Sequence, residues 1–221
     1  MPSAKTTLMI LTPLDPAELP RILDIFDAGL ADHADARAVF RRIAATHIFC
    51  PGFKADLNAG RAKAIALAAR MGIPMLDEDP ALAFSWDGRV IRSRSETSVV
   101  FHEIAHWQIA TPAMRALYDF GLGAGPETGR IIEANAAACA DAAMREEEEN
   151  LASLLGILWE TEHDEPAILA FAEQNWLELY DRPHTQRHFV TCLENLRGRG
   201  LVDSSGRPTL RTHQPQVIYA A

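Results

Sequence analysis

The stretch TSVVFHEIAHWQIAT, residues 97–111, constrains the chain more than any other. It carries His102, Glu103 and His106 in the pattern H-E-x-x-H among apolar residues. Residues four apart lie on one face of a helix, so two imidazoles at this spacing can aim at one cation. Glu103 projects ~100° away from His102 and suits a proton carrier beside a metal rather than a ligand. Val99, Val100, Ile104, Ile109 and Ala110 make the rest of the stretch apolar, which predicts a helix at the edge of a core. The plainer alternative is a pair of hydrogen-bonded histidines with no ion.

Two imidazoles need a carboxylate from elsewhere to complete a site. The run Glu146-Glu147-Glu148-Glu149 is the obvious source, although charge runs usually form solvated helix faces. At ~100° per residue, Leu151, Leu154, Leu155 and Leu158 cluster on one side of a helix, close to the direction of Met144. Glu147 and Glu148 flank that apolar side, whereas Glu146 and Glu149 point away from it. Glu133 falls on the same stripe if the helix runs unbroken. The expected third ligand is therefore Glu148, then Glu147, then Glu133. With zinc, such a set activates a water, with Glu103 as general base. With ferrous iron, two histidines and one carboxylate leave positions open for oxygen and substrate.

The remaining pattern predicts an α+β fold, mostly helical, with a small sheet and the H-E-x-x-H helix as a zincin-like active-site helix. Strands are expected at 6–11, at THIFC (46–50), at IPML (73–76) and at RVIRS (89–93), the last two separated by the turn Trp86-Asp87-Gly88. Helices are expected over 15–45, 56–72, 130–162, 165–180 and 185–200. The 221 residues suffice for one domain, 1–221. Its parts would be an α/β region over about 1–95, a metal-binding helical region over about 96–200 and an extended tail over 201–221.

A net charge of −9 disfavours nucleic acid as a partner, since that needs clustered Lys and Arg. Cys50, Cys139 and Cys192 form no C-x-x-C pair, which suits a reducing compartment. The N-terminal apolar run is broken by Pro13 and Pro16 and is too short for a signal or a membrane span. These features lead to the expectation of a cytoplasmic protein with no membrane association; they leave the oligomeric state open.

The segment VVFHEIAHWQIATPAMRALYDFGLGAGPETGR resembles the bacterial elongation factor P hydroxylases. The matching elements are His102, Glu103, His106, Trp107, Ile109, Ala110, Arg115, Asp119-Phe120-Gly121 and Pro126. That resemblance implies a non-haem iron oxygenase acting on a protein substrate, a lysine-derived side chain of a translation elongation factor. It implies Fe(II) held by His102, His106 and Glu148, with Trp107 and Asp119 as supporting or pocket residues. The aromatic loop that follows D-F-G in that family reads LGAG here. A looser resemblance, through MGIPM, DGRVIRS and the H-E-x-x-H itself, is to compact zinc peptidases related to phage-repressor proteases. It implies Zn in place of Fe(II), with Glu133 as the third ligand. A non-catalytic binding protein with a relic metal site is the third reading.

Among other residues, His184 and His188 repeat the i, i+4 spacing but lack apolar framing, which favours a surface role. Cys50 is expected to be a buried structural thiol.

Overall fold

The computed structural model describes residues 17–52, 57–78, 85–125 and 130–212. The expected strand at 6–11 lies outside them. The described chain is mostly helical, with a small two-stranded sheet. In order it forms α1 (Leu19–Gly29), α2 (Ala34–Ala45), α3 (Leu57–Met71), β1 (Met75–Leu76) and β2 (Ile91–Arg92). Then come α4 (Thr97–Ile109), α5 (Ile131–Ala137), α6 (Ala142–Glu162), α7 (Ala167–Glu173) and α8 (Pro183–Gly198).

β1 and β2 pair in parallel, Met75 with Ile91 and Leu76 with Arg92. The connection between them turns at Gly88, whose φ of 86° is open to glycine, and Trp86 bridges back to Ile91. The strand expected at 46–50 is instead part of a 3-10 helix, Thr46–Gly52. Among the described residues, its β-branched residues pair with no strand. Thr46 is buried, and its hydroxyl donates to the Ile43 carbonyl while accepting from the Ile168 N–H, which binds the segment to α7.

The stretch 130–162 is two helices rather than one. The chain leaves helical geometry at Ala138, the N–H groups of Cys139 and Ala140 both donate to the Gly121 carbonyl, and Asp141 caps α6 by accepting from the Met144 N–H. The helix expected over 165–180 stops at Glu173; Asn175 and Leu179 then adopt left-handed backbone.

α6 is the axis of the molecule. Every residue from Leu151 to Glu160 is buried, so it has no solvent face along that length. α4 is nearly as enclosed, with Val100, Phe101, Ile104, Ala105 and Ile109 all inaccessible. The two helices pack where α6 presents Gly156: a Cβ there would stand 3.1 Å from the His102 Cα and 3.2 Å from its N. Elsewhere the core is aromatic, with Phe26, Phe40, Phe171, Phe189 and Trp176 in mutual ring contact. A single cluster of buried apolar residues extends from Ile22 to Val202. Gln108 on α4 is fully buried and satisfied: its amide donates to the carbonyls of Thr209 and Arg211 and accepts from the Trp159 indole. That fixes the last described turn of chain to α4. Among the described residues no helix is long and apolar enough to cross a membrane.

Candidate metal centre

His102 and His106 do share one face of α4. Their Nε2 atoms are 2.9 Å apart, and the rings meet nearly perpendicular, at 84°. The acid that joins them is Glu149. One of its carboxylate oxygens lies 3.4 Å from His106 Nε2 and 3.6 Å from His102 Nε2. These three are the one group of His, Cys, Asp or Glu side chains among the described residues whose donor atoms are gathered closely enough for a single ion. An ion ~2.1 Å from each donor sets donors ~3.0–3.4 Å apart in octahedral or tetrahedral geometry. The observed triangle of 2.9, 3.4 and 3.6 Å brackets that span, with the shortest edge ~0.1 Å below it and the longest ~0.2 Å above.

The placement departs from the expectation built on the leucine stripe. Glu148 is buried, but it turns to Arg199 at the end of α8, 3.5 Å from the guanidinium. Glu147 binds the same guanidinium at 2.7 Å. Glu133 sits on α5 beside Arg130, half-exposed. None of the three accompanies the imidazoles. The stripe misled because α6 is buried all round from Leu151 to Glu160: the leucines face one part of the core and the opposite side faces α4. Glu149 and Gly156 are seven residues apart, which is two turns of helix, and so they share the side that meets His102. The sequence signal was the small pair Ala152 and Gly156 following Glu149 at helical spacing.

The electrostatics follow from burial and proximity. Burial opposes a charge on His106, but the Glu149 carboxylate, with Glu103 and Asp119 beyond it, outweighs this and raises His106 to about 9. His102 is lowered, by burial and then by His106. Burial also opposes the charge on Glu149, yet His106 and His102 together hold its carboxyl well below the usual range. Glu103 is buried and raised to about 7, chiefly by desolvation. One of its oxygens, Oε2, has no hydrogen-bond partner among the described residues. Burial likewise raises Glu148, against the pull of Arg199.

Asp119 and Phe120 occupy a sharp turn after α4, with φ of 49° and 52°, and Gly121 follows at 72°. Two consecutive non-glycine residues in left-handed backbone cost about 1–3 kcal/mol each. Asp119 contributes charge to the centre; its N–H donates to the Trp86 carbonyl. Phe120 is fully buried and stacks on His106, its centroid 5.4 Å away. Trp107 lies on a different face of α4. The Arg115 guanidinium covers its ring at 4.0 Å and also donates to the Trp107 carbonyl.

His188 does not build a second centre: its ring stacks on Trp176 and its Nε2 is 3.7 Å from Cys192 Sγ. Cys50 is partly buried, and that burial raises its thiol. Pro126 lies outside the described residues. A cavity of about 520 Å³ opens between Asp87–Arg89, Ala116–Tyr118 and Ala137, and none of the three donors borders it. Comparison of the chain with protein-family models, curated proteins and solved structures gave no match.

Proposed function

We propose that the chain is a metal-dependent hydroxylase similar to the elongation factor P hydroxylases, with ferrous iron on His102, His106 and Glu149 and a protein side chain as substrate. The observation that carries this reading is the convergence of two imidazoles on one helix with a carboxylate from another. Three protein donors on one side of an ion leave the opposite side for oxygen and substrate. When bound, iron supplies oxygen activation. The residues of the chain hold the donors beside the packed α4–α6 contact, with Glu149 open to solvent on one side, and set Glu103 within the field of His106. A carboxyl raised to about 7 can take or return a proton at neutral pH.

The same Glu103 favours a second reading, a zinc peptidase of zincin-like type in which it serves as general base to a bound water. Anaerobic reconstitution with ferrous iron, followed by air, separates the two on modified elongation factor P. Oxygen uptake with a product heavier by one oxygen atom supports hydroxylation. Peptide cleavage sustained by zinc without oxygen supports the peptidase. Protein that holds no stoichiometric metal after either treatment is the relic binding protein. Within the site, Glu149→Gln loses bound metal and Glu148→Gln keeps it; the reverse result transfers the third ligand to Glu148.

A further inference from the structure

Ligating histidines are ordinarily oriented by a hydrogen bond from the other ring nitrogen to a nearby acceptor. Here Nδ1 of His106 and Nδ1 of His102 are both buried, and neither has a hydrogen-bond partner among the described residues. Something else must set the ring planes. Trp86 and Phe120 stack almost parallel, 3° apart with centroids 5.2 Å from each other, and Phe120 stacks on His106 at 21°. His106 then meets His102 edge-on. Four rings therefore run in contact from the sheet to the candidate ligands.

The turn that carries Phe120 is held from two sides. The Asp119 N–H donates to the Trp86 carbonyl, and the Gly121 carbonyl accepts from Cys139 and Ala140 just ahead of α6. Trp86 is itself fixed by its indole N–H, which donates to the Arg115 carbonyl at 3.0 Å. A left-handed conformation at a bulky residue persists only where its surroundings impose it, and here both flanks of the turn do so.

We propose that Phe120 is a positioning residue: clamped by its strained turn and backed by Trp86, it fixes the plane of His106 by ring stacking, in place of a hydrogen bond at Nδ1, for which the described residues offer no partner. This rests on the reading of His102, His106 and Glu149 as a metal centre. It predicts that metal affinity depends on the flatness of residue 120, which is itself no ligand.

Cobalt(II) is the probe, because its visible bands report ligand geometry without any turnover. The full chain is titrated with cobalt as wild type, Phe120→Leu, Phe120→Tyr and Trp86→Leu, and each is melted in chelator to record the metal-free fold. Phe120→Leu is expected to weaken cobalt binding by roughly tenfold or more and to alter the band shape, the range usual for loss of an outer support. Phe120→Tyr, which keeps the ring, restores both; Trp86→Leu gives a smaller loss. A Phe120→Leu protein that binds cobalt with wild-type affinity and bands overturns the proposal. If that variant does not fold, Trp86→Leu decides, and an unchanged affinity there overturns it. Wild type that binds no cobalt overturns the metal reading and this positioning role with it.

Discussion

Gly156 is where the site and the fold can be tested with one atom. The three atoms nearest a methyl group there are all backbone of α4: the His102 Cα at 3.1 Å, its N at 3.2 Å and the Phe101 carbonyl carbon at 3.4 Å. Ordinary contacts lie at ~3.5–4.0 Å, so Gly156→Ala must part the helices locally by about 0.5 Å. Overpacking of this kind costs about 1–3 kcal/mol. Alanine returns about 0.8–1.0 kcal/mol of helix propensity over glycine. The metal-free protein should therefore lose about 1 kcal/mol. Glu149 rides on the same side of α6, so the shift also pulls its carboxylate from the imidazoles and should weaken zinc binding about tenfold, a further ~1.4 kcal/mol. Urea unfolding in chelator gives the first quantity and zinc titration the second. A variant that is more stable by the full propensity gain and binds zinc like wild type would refute the close helix contact and its link to the site.

Two further perturbations read the fold away from the donors. Gln108→Ala strips partners from the Trp159 indole and from the carbonyls of Thr209 and Arg211. It should cost about 3 kcal/mol in urea unfolding and raise amide exchange after residue 209; an effect within ~0.5 kcal/mol would contradict the buried network. Glu160 is buried, and its carboxyl is raised well above the ordinary value by desolvation, then by Glu165 and Glu173. The folded state thus keeps a proton that the unfolded state releases. Its contribution is complete below the unfolded value of ~4.3 and is lost as pH rises toward the folded value, at up to ~1.4 kcal/mol per pH unit. Glu160→Gln has no such proton, so its advantage over wild type should widen from about pH 4 upward; parallel stability curves would exclude the effect.

What the sequence disclosed divides along a physical line. The pair His102 and His106 was legible because one helix fixes it: i, i+4 spacing needs nothing beyond local periodicity. β1, β2 and the turn at Gly88 were legible for the same reason, through local turn chemistry. The break between α5 and α6 had a local sign as well, since Asp141 stands three residues ahead of the N–H it caps, but the surrounding alanines outweighed it in a pattern-based reading. The strand expected at 46–50 failed for a nonlocal reason: Thr46 is claimed by α7 rather than by a sheet. Glu149 belongs with that last case. With Met144 at zero, Ala152, Gly156 and Glu149 fall at about 80°, 120° and 140°, opposite the leucines. A wheel weighted by hydrophobicity scores that side as empty, because glycine and alanine carry little apolar surface. Yet small residues let two backbones approach, and only a close approach brings a side chain from α6 within reach of imidazoles on α4. The third donor was therefore encoded by what is missing from the helix surface at residue 156, and a fully apolar run from Leu154 to Trp159, without a polar face, was the sign that both sides of α6 would be used.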